Sequence, residues 1–242
     1  MLRVAGLFGL FALCAPIHVA TKLVLGRSPW PSKFLAAAGW IIGARVKVDG
    51  APAAPHSLLI ANHTSWLDIL LLAGATDCAF VSKDNLGHPL IHWLADQNAT
   101  VYVKRSHVKG AKDQAVAIAK ALEGRKPIAL FPEGTTGPGT SLLPFRSTLL
   151  EAANFAARDV AVRPVAIDYG AARPEVGWWE EPGKDNVLRI LGRRGTLPVA
   201  IHLLAPLDRA GDRKQLAQQA RESIAQRLGL TSGARSLIDE PE

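Results

Sequence analysis

The sequence predicts an α/β fold: a mixed, mostly parallel sheet flanked by helices and preceded by an N-terminal membrane-associated helical hairpin. From Arg45 onward, short apolar runs alternate with segments of helical periodicity, the pattern of a sheet covered by helices. Before Arg45 lie two apolar segments separated by prolines. The 242 residues are enough for one α/β domain with a sizeable core, or for two small domains.

The predicted strands are short runs rich in Val and Ile, each bounded by glycine, proline or polar residues. They cover residues 45–48, 57–61, 79–82, 100–103, 128–131, 160–167, 187–191 and 199–204.

Signals at the ends of three segments predict helices between these strands. Residues 108–123 place four apolar residues on one face, and a glycine follows as a stop. Thr148 with Glu151 resembles a capping box that opens a helix to about residue 157. The last helix has Asp212 as its cap and Gly229 as its stop.

The N-terminal segments predict contact with a membrane. Residues 4–20 contain no charged side chain, but a proline and a histidine interrupt them, and a span needs about 20 apolar residues. A second apolar stretch covers residues 34–44. We therefore expect a hairpin that dips into one leaflet, with Trp30 and Trp40 near the interface. A cleaved signal peptide is the alternative interpretation.

Basic residues on both sides of the first apolar segment predict that both of its ends stay on the cytoplasmic side. We accordingly expect a membrane-associated protein on the cytoplasmic face of the inner membrane. The predicted organisation is a membrane-associated segment at residues 1–44, an α/β domain at 45–230 and a flexible tail at 231–242.

Composition narrows the classes of partner. The hydrophobic fraction is 48% and the mean hydropathy is +0.13, which is on the apolar side for a freely soluble protein. The net charge of +7 favours anionic partners. Because there is no dense Lys/Arg tract, nucleic acid is not an expected partner. Cys14 and Cys78 are too few for a zinc site, and a reducing compartment suits them better than a disulfide.

The most informative stretch runs from Asn62 to Asp68 and follows an apolar strand candidate. If the helix begins near Trp66, with Ser65 as its cap, then His63 precedes the helix while Asp68 lies in its first turn. The two side chains then meet, and the carboxylate orients an imidazole that takes a proton from an alcohol. In the alternative interpretation, Asp68 only caps the helix and His63 bonds to backbone.

A second polar cluster, Glu133-Gly134-Thr135-Thr136, follows the strand candidate at 128–131. A glutamate and two hydroxyls at a strand exit form a polar cup, and glycine permits close approach of the backbone. Lys83 and Arg105 also follow strand candidates, where cations would bind an anionic headgroup. A simple turn and solvated surface charges are the alternatives.

In this order, the segments resemble the glycerolipid acyltransferase family, specifically the 1-acylglycerol-3-phosphate acyltransferases. The resemblance covers roughly residues 35–204 and includes the region around Lys83, Leu86 and Pro89. Four blocks carry it: Asn62-His63 with Asp68, the apolar run ending in Arg105, Phe131-Pro132-Glu133-Gly134-Thr135, and Val162-Arg163-Pro164-Val165-Ala166-Ile167.

The resemblance implies that His63 acts as general base on the hydroxyl of a lysolipid and that Asp68 orients it. The hydroxyl then attacks an acyl thioester of acyl-CoA or acyl carrier protein; with 1-acylglycerol-3-phosphate as acceptor, phosphatidic acid forms. Arg105 and Glu133-Gly134-Thr135 would bind the headgroup, with Lys83 in support. No metal or cofactor is implied, and membrane lipids are expected partners.

One residue departs from the family pattern. Thr136 occupies the position of the family's usual arginine, which removes a bidentate phosphate donor. Phosphate recognition would then shift to Arg146, Arg105 or backbone N–H groups. Alternatively, the acceptor lacks a free phosphate, because Glu-Gly-Thr-Thr followed by Leu-Pro-Phe-Arg also resembles the subgroup that acylates lyso-ornithine lipids.

Two other classes of function are the alternatives. A hydrolase would need a nucleophile or metal motif, and neither Gly-x-Ser-x-Gly nor His-Glu-x-x-His occurs. A non-catalytic membrane-binding module would tolerate loss of His63. The pair Trp178-Trp179 would lie at the membrane interface, cover an acyl channel or simply belong to the core.

Overall fold

A computed structural model describes residues 2–84, 86–103, 110–157, 159–208 and 212–230 of the chain. It confirms the predicted fold class. The described strands form one seven-stranded sheet. Their bounds are β1 Ala44–Asp49, β2 Ser57–Ala61, β3 Ala79–Lys83, β4 Val101–Val103, β5 Ile128–Leu130, β6 Ala161–Asp168 and β7 Leu197–Leu203.

The sheet is mixed but mostly parallel. Its strand order is β1-β7-β6-β2-β5-β3-β4. Among the described strands, β6 and β7 form the only antiparallel pair, and all other neighbours run parallel. Consequently β2, β5, β3 and β6 all end at the same edge, where α/β sheets place their ligands.

Helices cover both faces of this sheet. One face packs against α2, α3 and α8, and the other against α5, α6 and α9. The helices are α1 Leu2–Leu25, α2 Trp30–Ile42, α3 Leu67–Thr76, α4 Pro89–Gln97, α5 Ala111–Leu122, α6 Ala152–Phe155, α7 Arg173–Val176, α8 Gly183–Gly192 and α9 Arg213–Leu228.

One predicted strand is wrong. Residues 187–191 lie inside α8, not in the sheet. Asn186 and Ile190 are buried four positions apart while Leu188 is 65% exposed, which is the periodicity of a helix. The apolar run was too short for its pattern to distinguish the two structures.

The predicted helix ends have mixed outcomes. Asp212 caps α9 through its carboxylate and Gly229 ends it at a positive φ of 65°, as predicted. The predicted capping box at Thr148 is wrong: residues Thr148–Glu151 form a 3-10 turn that leads into the short α6, and Ser147 at the cap makes no side-chain cap hydrogen bond. The start predicted at residue 108 lies outside the described residues.

The two N-terminal apolar segments are paired helices. The Phe11 ring of α1 meets the Phe34 ring of α2 edge-on, with their centroids 6.3 Å apart. Pro16 lies inside α1 without ending it, and the helix is long and apolar enough to cross a membrane by length and composition.

The α1 helix is also attached to the rest of the protein near both ends. The Arg3 guanidinium donates hydrogen bonds to the carbonyls of Ile190 (3.1 Å) and Gly195 (2.8 Å). Near the other end, the buried His18 bonds to Gln97 of α4 at 3.0 Å. These polar contacts hold α1 along the α/β domain.

Both cysteines are free and buried. Burial raises the pKa of the Cys78 thiol to about 12, so this thiol is a poor nucleophile.

Candidate active site

The loop between β2 and α3 lies at the carboxyl edge of the sheet. Asn62 fixes its start, because the side chain accepts a hydrogen bond from Ile167 N–H (2.8 Å) and donates one to the Ile167 carbonyl (3.1 Å). This amide therefore ties the end of β2 to the neighbouring β6. His63 follows directly, and α3 begins four residues later at Leu67.

The structure brings His63 and Asp68 together, as their spacing suggested. His63 Nδ1 lies 2.8 Å from Asp68 Oδ2. The Asp68 side chain is fully buried, whereas that of His63 is 15% exposed. An imidazole whose Nδ1 donates to a carboxylate leaves the lone pair of Nε2 available to accept a proton. Among the described residues, Nε2 has no hydrogen-bonding partner.

Asp68 is held by the loop itself. Its Oδ2 also accepts hydrogen bonds from the backbone N–H groups of Thr64 (2.7 Å) and Ser65 (2.9 Å). The Tyr169 hydroxyl donates to Oδ1 at 2.5 Å. Both carboxylate oxygens are therefore bonded, so the carboxylate presented to the imidazole is fixed in direction.

The imidazole ring is supported from the next strand. Phe131, which follows β5, stacks on His63 with ring centroids 4.0 Å apart and an interplanar angle of 13°. Phe80 of β3 stacks on Phe131 in turn, at 5.7 Å. This aromatic stack limits rotation of the imidazole.

Glu133 is buried and binds backbone. Oε1 accepts from His63 N–H at 2.7 Å, and Oε2 accepts from Leu143 N–H at 2.9 Å. Burial raises the pKa of Glu133 to about 7; the nearby Asp68 also raises it, while the two backbone N–H groups and Arg221 oppose the shift. Glu133 thus links the loop carrying His63 to the loop after β5.

A cleft of about 1090 Å³ opens beside His63. Much of its wall is apolar, including Ile69, Phe80 and Leu130. The sequence-predicted residues that line it are His63, Lys83, Gly134, Thr135 and Arg146. Glu133 is only 4% exposed, and Arg105 lies outside the described residues. Four side chains from three separate segments and the backbone of a glycine thus share one cavity.

The backbone of the Glu-Gly-Thr segment brings Arg146 to this cavity. Gly134 adopts a φ of 72°, which favours glycine, and its missing Cβ would lie 3.5 Å from Arg146 Nη1. Arg146 N–H donates to the Pro132 carbonyl at 2.9 Å. The guanidinium therefore lies beside Gly134 in the cleft.

Trp178, Trp179 and Glu180 form another part of the wall. Trp178 N–H donates to the Thr64 carbonyl at 2.9 Å, which joins this segment to the His63 loop. Asn186, fully buried, accepts from Trp66 Nε1 at 3.1 Å and donates to the Gly177 carbonyl at 3.0 Å. The aromatic pair is therefore part of the cleft wall and is fixed to the loop before α3.

Sequence reasoning missed Tyr169, Glu180 and Asn186, whereas Thr136, which it placed in the polar cup, does line the cleft. A partial signal existed for Tyr169, since it follows a predicted strand, but only the pairing of β6 with β2 brings it next to Asp68. Within the described ranges, no group of three or more His, Cys, Asp or Glu side chains is placed to hold a metal ion.

The chain is similar to several known proteins. The acyltransferase family profile matches residues 45–168. A lyso-ornithine lipid O-acyltransferase of Rhodobacter capsulatus is 31% identical over 89% of this chain and 85% of its own length. A 1-acyl-sn-glycerol-3-phosphate acyltransferase of Neisseria gonorrhoeae is 27% identical over 72% of this chain and 70% of its own length.

The fold has a solved counterpart. The crystal structure of the 1-acyl-sn-glycerophosphate acyltransferase PlsC from Thermotoga maritima superposes with a TM-score of 0.59 at 23% identity, covering 82% of this chain and 77% of that one. The two proteins therefore share a fold. Together with the family match over the strands that carry His63 and Glu133, these likenesses show that the chain belongs to the acyltransferase family.

Proposed function

We propose that this protein is a lysolipid O-acyltransferase that transfers a fatty acyl chain from a thioester to a lysolipid hydroxyl, with lyso-ornithine lipid as its acceptor. The observation that carries the chemistry is the 2.8 Å contact between His63 Nδ1 and Asp68 Oδ2 at the wall of a large cleft. The relatives named above support the class of reaction.

His63 acts as general base in this proposal. Nε2 takes the proton of the lysolipid hydroxyl while the oxygen attacks the thioester carbonyl carbon, and Asp68 stabilises the imidazolium that forms. Collapse of the tetrahedral intermediate breaks the C–S bond, and the imidazolium returns the proton to the leaving thiolate. Ester and thiol are the products, and neither a metal nor a cofactor takes part.

Three charged side chains in the cleft favour an acceptor with a zwitterionic headgroup. Lys83, Arg146 and Glu180 are the charged side chains among the described lining residues of the cleft. The ornithine headgroup carries one carboxylate and one ammonium group, which match two cations and one carboxylate. Thr136 stands where the family pattern has an arginine, so the cleft has one phosphate donor fewer.

The second candidate acceptor is 1-acylglycerol-3-phosphate, which the sequence placed first. The cleft contains two cations, Lys83 and Arg146, which favour this acceptor because two cations suit a phosphate monoester.

The acyl donor is acyl-CoA or acyl carrier protein, and the net charge of +7 suits the acidic carrier. Gly134 and Thr135 line the same cleft and complete the predicted headgroup site, with Arg105 as a further predicted ligand.

We further propose that α1 and α2 attach the enzyme to the cytoplasmic face of the inner membrane. Phe8 (72%), Leu13 (63%) and Trp40 (63%) are unusually exposed for apolar side chains. The Arg45 guanidinium lies 4.7 Å from the Trp40 ring, a pairing that suits a membrane interface. The division into residues 1–44, 45–230 and 231–242 is part of the same proposal.

The side of the membrane is tested with single-cysteine variants. A cysteine introduced at Leu25 or Leu2 is labelled with an impermeant maleimide in intact and in permeabilised spheroplasts, on a background in which Cys14 and Cys78 are replaced by serine. If α1 dips into the inner leaflet, both positions react only after permeabilisation. Labelling of either position in intact spheroplasts would instead show that α1 spans the membrane.

The decisive activity test offers lyso-ornithine lipid and lysophosphatidate in parallel to the purified protein, each with labelled acyl-CoA and acyl carrier protein. We expect transfer to lyso-ornithine lipid. Exclusive use of lysophosphatidate would overturn the proposed acceptor. Glu180→Gln should raise KM for lyso-ornithine lipid and leave KM for any residual lysophosphatidate acylation unchanged, with the exposed Glu222→Gln as control.

His63→Gln separates an enzyme from a non-catalytic membrane-binding module. General-base catalysis contributes about 10²–10⁴-fold, so we expect a loss of that order with the fold retained. A matched control exists, because His202 also lies near an aspartate, with Nδ1 3.2 Å from Asp49 Oδ2, but does not line the cleft. Unchanged transfer by His63→Gln would favour the binding module.

A further inference from the structure

The carboxylate that faces His63 is held from its other side by a buried phenol. Tyr169 is 2% exposed, and its hydroxyl donates to Asp68 Oδ1 at 2.5 Å. We infer that Tyr169 is a positioning residue for acyl transfer, whose hydroxyl fixes the Asp68 carboxylate so that Oδ2 stays directed at His63. This inference rests on the proposed function of the site.

The two oxygens of Asp68 have unequal support. Oδ2 accepts three hydrogen bonds, from His63 Nδ1 and from the backbone N–H groups of Thr64 and Ser65. Among the described residues, Tyr169 is the only donor to Oδ1. Without that hydroxyl, a buried oxygen would lose its partner, and the carboxylate would gain by turning to share the loop N–H groups between both oxygens. The oxygen facing the imidazole would then move.

The sheet determines where Tyr169 lies. Strand β6 runs parallel to β2, so the residues that follow the two strands lie at the same edge. Asn62 binds the backbone of Ile167, two residues before Tyr169. The phenol is therefore held in register with the His63 loop by the same amide that fixes the start of that loop.

The phenol stays a donor at every pH at which the enzyme would work. Burial, together with the neighbouring Asp68, raises the pKa of Tyr169 well above its ordinary value. The proton thus remains on the phenol oxygen, and among the described residues its acceptor is Asp68 Oδ1.

If Tyr169 had a purely structural role, only the packing of its ring would matter. Tyr169→Phe keeps the ring and removes the hydroxyl, so it separates ring packing from positioning of Asp68. The chain offers a matched control, because its other tyrosine, Tyr102, also donates to an aspartate: its hydroxyl lies 2.6 Å from Asp96 Oδ1. That pair is at the surface and does not line the cleft. Tyr102→Phe therefore removes the same type of hydrogen bond without touching the proposed catalytic pair.

Steady-state kinetics of both variants test the inference on the full-length protein. We expect Tyr169→Phe to lower kcat at least tenfold with KM for acceptor and donor within twofold of wild type, and Tyr102→Phe to change neither. In ¹⁵N-histidine-labelled protein, the Nδ1–H resonance of His63 should shift in Tyr169→Phe and not in Tyr102→Phe. A kcat within twofold of wild type and an unmoved resonance would overturn the inference.

If Tyr169→Phe fails to fold, a second pair of variants tests the same inference. Position 169 is replaced by 4-aminophenylalanine, which restores an N–H donor, or by 4-methylphenylalanine, which has similar bulk and no donor. Recovery of kcat with the amino group alone supports the inference, and equal kcat for the two variants overturns it. The resonance is read without turnover, so it tests the role of Tyr169 even if neither lysolipid proves to be the acceptor.

Discussion

The replacement Glu133→Gln tests whether the buried glutamate behind the His63 loop is protonated in the folded protein. Burial raises the pKa of Glu133 from 4.5 to about 7. Between these values the folded protein holds a proton that the unfolded chain releases. The stability that Glu133 contributes is therefore complete below pH 4.5 and is lost as the pH rises through 7.

The size of this effect follows from the two pKa values. Each pH unit corresponds to about 1.4 kcal/mol of differential stability, so the interval from 4.5 to about 7 corresponds to about 3 kcal/mol. Glutamine does not titrate. It keeps an acceptor for one of the two backbone N–H groups and turns its NH₂ toward the other, a cost that is the same at every pH.

The assay is urea unfolding of wild type and Glu133→Gln in mild detergent at several pH values from 4.5 to 8. The stability of wild type minus that of the variant should fall by about 3 kcal/mol as the pH rises, while the exposed Glu222→Gln shows a flat difference. A difference for Glu133→Gln that stays constant within about 0.5 kcal/mol across this range would refute the argument.

Two further substitutions test contacts that stabilise the fold. Asp212→Ala should lower the free energy of unfolding by about 1 kcal/mol, because its carboxylate accepts two backbone N–H groups at the start of α9, and an unchanged urea midpoint would contradict this. Gly50→Ala should prevent stable folding, measured as loss of the thermal transition, because a Cβ there would lie 2.1 Å from the Leu203 carbonyl oxygen. Gly9→Ala, with nothing within 4 Å, is the control that should fold like wild type.

Local signals predicted much of the fold. Strands such as β2 and β7 were visible because buried strands need consecutive or alternating apolar residues, whatever lies next to them. The α9 cap was visible because Asp212 acts on the backbone of the next few residues. The same locality explains the error at residues 187–191, where a short apolar run fits strand and helix equally and burial of Asn186 and Ile190 decided for the helix.

The spacing of His63 and Asp68 predicted that the two side chains meet, since a loop followed by the first turn of a helix places residues five apart side by side. The sequence also indicated that Lys83 and Arg146 belong with them. Two other contacts, Glu133 with the backbone of His63 and Tyr169 with Asp68, became visible only in the folded sheet. The contact between Tyr169 and Asp68 joins residues 101 positions apart, and the side-by-side pairing of β6 with β2 makes it. No local pattern encodes such a pairing, because it depends on the order of strands in the folded sheet.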